Sequence, residues 1–442
     1  MDFTPHTDDD LAVMLGRLGL ETTADLYRHL PEHVVLDQPL DLDPGLAEPD
    51  VMAMVDHLAS HNTPLVCFAG GGIYDHFLPP VVRSLTMRPE FVTSYTPYQP
   101  EVSQGVLQML FEFQSMVASI TGLPVANASL YDGATAVAEA VHMAVAATGR
   151  QVVWLSRGLS PGIREAVTTM AAAQSIDVIE HPLEDGRTAW AEQEPEPAAL
   201  VMAQPNYLGM VEKYDDMVGL ARGLGALAIA SVDPMTLGLL RTPGSAGCDV
   251  AVAEGQSLGN PMSFGGPVVG LFATTRDHVR RLPGRLVGRT VDGKGRTGFV
   301  LTLRAREQDI RRQRATSNIC TNQTLNAIGS ALHLAWLGPD GLRRVGELAA
   351  QKARYLARRL DELPGVELEN QGGFLREFAV RLPMDADEAV AAMAERGFLA
   401  GIPLGADYPE IRNGLLVAVT ERRTRLQLDS YVDALKEVVA GG

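Results

Sequence analysis

The sequence is poor in cysteine and lysine and has no long apolar run. Its three cysteines, Cys67, Cys248 and Cys320, lie far apart and match no metal-ligand spacing, so we expect no metal site. No stretch approaches the roughly 20 apolar residues that a bilayer-spanning helix needs, which excludes a membrane partner. The acidic first segment lacks the basic and then apolar order of a signal peptide. Together these absences predict a reduced, cytoplasmic protein.

Positive charge is also scarce. The 37 lysines and arginines face 54 aspartates and glutamates, a net charge of −17, so a phosphate-binding surface for nucleic acid is not expected. Only four of the basic residues are lysine: Lys213, Lys294, Lys352 and Lys436. An arginine-biased composition explains most of this shortage. It still leaves few positions for chemistry that needs an amine.

The pattern along the 442 residues predicts three parts. Capping residues and apolar periodicity predict an N-terminal helical arm over residues 1–64, with helices at 11–18, 22–30 and 49–60. Over residues 65–330, short apolar runs alternate with helical patterns, which predicts a large α/β domain with a mostly parallel sheet. Residues 331–442 predict a smaller C-terminal α+β domain.

Two features within the predicted α/β domain suit a phosphate-bearing cofactor. Gly133, Ala134 and Thr135 open an alanine-rich helix, and such a helix N-terminus can bind a phosphate through its free amides. Close packing of a helix on a sheet requires the same small residues. Asp233 follows a buried strand, where pyridoxal-phosphate enzymes of the aminotransferase architecture place the aspartate that pairs with the pyridinium nitrogen. Capping of the turn after the strand explains Asp233 equally well.

A cofactor site of this kind also needs a lysine shortly after that aspartate. The segment in question, residues 248–259, contains none. Lys213 precedes Asp233, and Lys294 lies beyond the strand that should follow the site. If the architecture is right, this chain cannot bind the cofactor covalently.

The glycine-rich segments are weaker signals. Gly293, Gly295 and Gly298 match G-x-G-x-x-G, but a polar run precedes them and a strand pattern follows, so we interpret them as a hairpin loop and not a dinucleotide site. The three glycines at positions 70–72 suit either an anion-binding nest or a turn packed against a neighbouring backbone.

Two further segments allow a structural and a functional interpretation. Residues 95–100 form a rigid turn with two tyrosines and an amide before a helix predicted over 101–121. This turn either packs against its own domain or forms a lip over a pocket for a small polar ligand. Residues 304–314 carry five arginines, typical of a solvated, self-paired helix face. An interface with an acidic partner or a carboxylate-binding arginine is the alternative.

Many blocks of the chain resemble the glycine cleavage system P-protein family, glycine dehydrogenase (decarboxylating), and in particular the first subunit of its two-chain form. The resemblance runs from end to end. Its most specific blocks are YTPYQPE at residues 95–101 and ATSNICT at residues 315–321. One departure is Asp309, where the family commonly has histidine, and a surface exchange accounts for it.

The resemblance implies an aminotransferase-like fold, fold type I of the pyridoxal-phosphate enzymes. It also implies a heterodimer or heterotetramer with a homologous second subunit. That second subunit would carry pyridoxal phosphate and its lysine, and this chain would not hold the cofactor covalently. The assembly would decarboxylate glycine and pass the aminomethyl group to the lipoyl arm of H-protein. This chain alone would be inactive.

The resemblance also implies roles for particular residues. The residues expected to line the shared pocket from this chain are Tyr95, Tyr98 and Gln99. The expected remnants of a duplicated cofactor site are Gly133, Ala134, Thr135 and Asp233, with Gln256 or a neighbour near the lost lysine.

Three alternatives remain open at this point. The chain is a self-sufficient pyridoxal-phosphate enzyme if an irregular loop brings Lys213 or Lys294 into the site. It is a non-catalytic scaffold if it only stabilises its partner. A dinucleotide oxidoreductase depends on the glycine match at 293–298 alone.

Overall fold

The computed structural model describes residues 5–36, 38, 40–191, 195–369 and 372–441. The chain divides into two compact units, Met1–Thr63 and Pro64–Gly442. The further division of the second unit near residue 330, and with it the three-domain arrangement, stays a prediction.

The first unit contains two α-helices, α1 Asp8–Leu18 and α2 Glu48–Ser60, among its described residues. Thr7 and Asp10 form a reciprocal capping box at the start of α1, as the sequence predicts. The helix predicted over 22–30 is wrong, because the structure has only a 3₁₀ turn at Thr23–Tyr27. None of the turn's side chains is buried, so no packing stabilises a longer helix there.

The second unit carries the remaining described elements. Its strands are β1 Val66–Cys67, β2 Val125–Ala126, β3 Val152–Ser156, β4 Asp177–His181, β5 Leu183–Glu184, β6 Arg187–Thr188, β7 Ala199–Gln204, β8 Leu227–Val232, β9 Val250–Glu254, β10 Gly270–Thr274, β11 Val287–Val291, β12 Thr297–Leu301, β13 Glu367–Leu368, β14 Glu377–Arg381, β15 Phe398–Leu399, β16 Ile402–Pro403 and β17 Gly414–Ala418. Its helices are α3 Pro80–Thr86, α4 Pro89–Val92, α5 Gln104–Thr121, α6 Gly133–Thr148, α7 Pro161–Ala172, α8 Tyr214–Leu224, α9 Pro243–Ala246, α10 Gln308–Arg311, α11 Thr324–Asp361, α12 Ala386–Glu395 and α13 Arg425–Gly441.

The central sheet has the strand order β2-β10-β9-β8-β7-β3-β4. Pairing is parallel from β9 to β4 and antiparallel at β10 and β2, so the predicted mostly parallel sheet is confirmed. Every residue of β7 is buried. Leu200 and Met202 belong to the core shared with α5 and α8, and Val201 belongs to the core shared with α6 and α7. Helices therefore cover the sheet on both faces.

A second, antiparallel sheet follows near the C-terminus, with the strand order β13-β14-β17-β16. It packs against the second half of α11 and against α12 and α13 around one apolar core. Helix α11 is interrupted at Gly338, where φ is 60° and Pro339 follows. This break separates two helical stretches.

The glycine match at 293–298 lies in the β11–β12 hairpin, as predicted, with Gly293 and Gly295 in the turn and Gly298 on β12. The side chain of Asp292 accepts hydrogen bonds from the amides of Lys294 and Arg296 and closes this turn. The arginine-rich segment at 304–314 is not one helix face. It forms 3₁₀ turns around the short α10, because Arg312 has a φ of 52° and breaks the helix.

Candidate active site

The site lies at the carboxyl ends of the parallel strands β7 and β8, where open α/β sheets bind their ligands. Residues that follow these strands line one side of a pocket. Residues at the start of β14 and in the loop after β1 line the other side. The pocket therefore lies between the central sheet and the C-terminal sheet.

Asp233, expected to be the remnant of a pyridinium partner, lies directly after β8 and lines this pocket. Its carboxylate is instead paired within the chain, because Arg376 Nη2 lies 2.5 Å from Asp233 Oδ2. The other oxygen accepts the amide of Met235 at 3.0 Å and caps the turn. The guanidinium of Arg376 lies over the ring of Tyr74, 3.4 Å from its centroid, and donates to Nε2 of His76. Asp233 thus caps the turn and holds a buried cation at the same time.

The phosphate-type turn at the start of α6 is also paired within the chain. The amide of Gly133 donates to Glu254 Oε2 at 2.8 Å, and the amide of Thr135 donates to the capping side chain of Asp132 at 2.7 Å. The other oxygen of Glu254 accepts the amides of Gln256 and Val269. A Cβ at position 133 would lie 2.8 Å from that of Glu254. The carboxylate of Glu254 therefore lies at this helix N-terminus, where a phosphate would bind.

Gln256, which the resemblance implies to lie near a lost lysine, is buried. Its Oε1 accepts the amide of Tyr74 at 3.0 Å, and its Nε2 donates to the carbonyl of Asn260 at 2.8 Å. Gln256 therefore connects the loop after β1 to the loop after β9. No lysine is among the residues that line the described pocket.

The three-glycine turn at 70–72 also packs against its own fold. The amide of Gly71 donates to Glu377 Oε1 at 2.7 Å, and the hydroxyl of Tyr74 donates to Glu377 Oε2 at 2.7 Å. A Cβ at Gly70 would lie 2.3 Å from Glu377 Oε1, so a larger residue does not fit there. Burial raises the pKa of Glu377 to about 7 and also raises that of the buried Tyr74 hydroxyl.

Pyridoxal phosphate does not fit the residues found here. It would need free amides at the start of α6, a free carboxylate for its ring nitrogen and a lysine. The amide of Gly133 at the start of α6 donates to Glu254, and the carboxylate of Asp233 is paired with Arg376. No lysine lines the pocket in the described part of the chain. The free space is about 90 Å³, whereas pockets for ligands of this kind usually exceed about 300 Å³. The chain's own charges take the places that the cofactor's charges would need.

The predicted lip lies apart from this pocket, which Tyr95, Tyr98 and Gln99 do not line. Tyr95 is 78% exposed and Tyr98 is 42% exposed. The hydroxyl of Tyr98 accepts a hydrogen bond from Arg285 at 2.5 Å. The structure thus brings Asp233 and the Gly133 turn to one region and leaves the tyrosines on an open surface.

Three of the residues that decide this geometry were not singled out from the sequence: Glu254, Arg376 and Glu377. Glu254 had a detectable signal, since a carboxylate ends a buried strand in the segment searched for the lysine. Arg376 and Glu377 had none, because their partners are far away in the sequence.

The same described part of the chain holds no group of three His, Cys, Asp or Glu side chains arranged for a metal ion. None of its helices is both long and apolar enough to cross a membrane.

The chain is similar to known proteins over nearly its full length. The family model described as glycine cleavage system P-protein matches residues 1–435. The probable glycine dehydrogenase (decarboxylating) subunit 1 of Chlorobium limicola is 47% identical, over 98% of this chain and 99% of that protein. The corresponding subunit 1 of Moorella thermoacetica is 45% identical, over all of both chains.

Solved structures are similar to the chain at two levels. The inhibitor-bound glycine decarboxylase (P-protein) of the glycine cleavage system has a TM-score of 0.92 and 46% identity, over 99% of this chain and 100% of that one. The glutamate decarboxylase of Lactobacillus brevis has a TM-score of 0.69 at 12% identity, over 95% of this chain and 97% of that one. The second likeness shows the fold alone, that of the type I pyridoxal-phosphate enzymes, as predicted.

Proposed function

The chain belongs to the glycine cleavage system P-protein family, and from this premise we propose that it is the subunit of a two-chain glycine decarboxylase that carries no cofactor of its own. Its relatives are named subunit 1, which supports a second, homologous subunit as partner. In this proposal the partner holds pyridoxal phosphate, the pair decarboxylates glycine, and the aminomethyl group passes to the lipoyl arm of H-protein.

The observation that carries the proposal is the internal pairing of the cofactor-type site. Glu254 holds the Gly133 amide, and Arg376 holds the Asp233 carboxylate. Gly133 and Arg376 are buried and their partners are partly buried, so a cofactor would have to displace both pairs. This pairing disfavours the self-sufficient enzyme. The positions of the two candidate lysines also disfavour it, because Lys213 lies before α8 and Lys294 lies in the β11–β12 turn, both outside the pocket.

The exposed tyrosines support a role in the partner's site. Tyr95 and Tyr98 lie nine and six residues before α5, which begins at Gln104. Tyr95 is 78% exposed and Tyr98 is 42% exposed. Aromatic hydroxyls and an amide are suited to fixing a small polar ligand in a pocket. We place Tyr95, Tyr98 and Gln99 on this chain's side of a pocket shared with the partner.

Reduction with borohydride tests where the cofactor binds. The purified chain is incubated with pyridoxal phosphate, reduced and analysed for modified lysines, with the partner subunit as positive control. We expect no specific adduct on this chain and glycine decarboxylation only after the two subunits are mixed. A specific adduct at Lys213 or Lys294 with activity of the chain alone would establish the self-sufficient enzyme instead.

Substitution of the lip separates a catalytic subunit from a scaffold. Tyr95→Phe and Tyr98→Phe each remove one hydroxyl and keep the ring. We expect both variants to assemble with the partner as the wild type does and at least one to lose most of its kcat/KM for glycine. Tyr27→Phe, an exposed tyrosine of the N-terminal unit, is the matched control. A normal kcat/KM for glycine in both lip variants would favour the scaffold.

A further inference from the structure

Arg285 is a buried arginine behind the lip. It lies two residues before β11 and is only 3% exposed. Its Nη2 donates to the hydroxyl of Tyr98 at 2.5 Å, and its guanidinium carbon lies 4.8 Å from the centroid of the Tyr98 ring. Its Nε and Nη1 make no hydrogen bond within the described part of the chain. A buried cation with one strong hydrogen bond therefore fixes both the ring and the oxygen of Tyr98.

This contact decides the direction of the Tyr98 proton. A guanidinium has donors only, so the phenolic oxygen of Tyr98 must accept from Arg285. The phenol's own proton then points away from Arg285. Since Tyr98 is 42% exposed, that proton is available to an external acceptor. Arg285 thus makes the Tyr98 hydroxyl a hydrogen-bond donor to whatever binds at the lip.

The charges around Tyr98 favour an anionic acceptor. A second guanidinium, that of Arg304, lies 5.4 Å from the Tyr98 ring and pairs with Asp309 at 2.8 Å. The carboxylate of Glu307 lies 4.0 Å from Arg285, and burial raises the pKa of Glu307. Arg306, next to it, donates to carbonyl oxygens of the chain. Three guanidiniums thus face two carboxylates, one of which is buried in an environment that disfavours its charge.

We propose that Arg285 is a positioning residue that presents the hydroxyl of Tyr98 as a donor to the carboxylate of the substrate. The inference rests on the proposed function, in which Tyr98 lines a pocket shared with the partner and the substrate is glycine. It adds the direction of the hydrogen bond, the ligand group that receives it and the residue that enforces it.

The test is steady-state kinetics of the assembled two-subunit enzyme with glycine as the varied substrate. The variants are Tyr98→Phe, Arg285→Met and the double variant, with Arg285→Lys as the conservative change. Arg289→Met is the matched control, since Arg289 is an exposed arginine on β11. Unfolding temperature and assembly with the partner are measured for each variant. The KM for H-protein is measured alongside that for glycine.

We expect Tyr98→Phe and Arg285→Met each to raise the KM for glycine about tenfold or more, as for loss of a charge-assisted hydrogen bond. kcat and the KM for H-protein should change far less. The double variant should be no worse than either single variant, because both act through one hydroxyl. Arg285→Lys keeps a charged donor and should regain part of the affinity. If Arg285→Met does not fold, Arg285→Lys decides: a raised KM for glycine supports the inference, and a normal one overturns it.

The outcomes distinguish a failure of this inference from a failure of the proposed function on which it rests. A normal KM for glycine in Arg285→Met beside a raised one in Tyr98→Phe would overturn the role of Arg285 and leave the lip in the site. Additive effects in the double variant would also overturn it. If only the KM for H-protein changes, the carboxylate of glycine is not the group that Tyr98 binds, and this part of the inference is overturned. Normal kinetics in Tyr98→Phe would instead remove Tyr98 from the proposed function.

Discussion

Replacement of Arg376 by methionine tests whether the buried ion pair neutralises the cofactor-type site. The side chains of Arg376 and Asp233 are 5% and 13% exposed. Without the guanidinium, the Asp233 carboxylate keeps the amide of Met235 as its donor but loses its countercharge. Removal of one partner from a buried pair typically costs about 3–5 kcal/mol of the free energy of unfolding. We expect Arg376→Met to fall in this range.

The matched control is Arg381→Met, at the other end of the same strand β14. Arg381 pairs with Glu369 at 2.6 Å, but its side chain is 42% exposed. An exposed pair of this kind contributes about 1 kcal/mol or less. The double variant Asp233→Asn/Arg376→Met also removes the unpaired charge of the Asp233 carboxylate. It should therefore recover much of the stability lost in Arg376→Met.

Urea unfolding followed by far-ultraviolet circular dichroism at neutral pH measures all four proteins. A loss in Arg376→Met no larger than that in Arg381→Met would refute the reasoning. A double variant as unstable as Arg376→Met would refute it too, because the cost would then come from lost packing and not from an unpaired carboxylate.

Two more variants probe the fold around the site, each by its unfolding temperature. Gly209→Ala should destabilise the protein by about 1–3 kcal/mol, because φ there is +83° and the new Cβ would lie 1.9 Å from the carbonyl oxygen of Glu377. Gly219→Ala, in open space on α8, is its control, and an equal loss there would contradict this. Glu139→Gln should be more stable than the wild type at pH 8 but not at pH 5. Burial raises the Glu139 pKa from 4.5 to about 7, so the wild type loses stability as pH rises through that window. The exposed Glu165→Gln is the control, and a pH-independent difference for Glu139→Gln would contradict the assignment.

The sequence predicts the central sheet well because local signals and burial agree there. Helix α8, Tyr214–Leu224, can be located from the sequence because Gly225 ends it, and strand β8, Leu227–Val232, because it is a mostly apolar run. The helix predicted at 22–30 fails because capping residues alone, without buried side chains, do not extend a helix.

The contacts that define the candidate site are beyond such reasoning. Arg376 and Asp233 come from different sheets and are far apart in the chain, so no local pattern relates them. The same holds for Arg285 and Tyr98. The sequence predicts where Asp233 lies and that no lysine is near it. It does not predict that Glu254 accepts from the Gly133 amide or that Arg376 pairs with Asp233.

In the proposed function the chain binds no cofactor. The carboxylate of Glu254 on the Gly133 amide and the guanidinium of Arg376 on Asp233 would make that state difficult to reverse in evolution. A lysine introduced at position 256 would supply an amine and leave both competing charges in position. Removal of either charge first would break a buried contact and gain no cofactor in return. Conversion of the proposed subunit into an independent enzyme would thus require several coordinated changes, with intermediates less stable than the present chain.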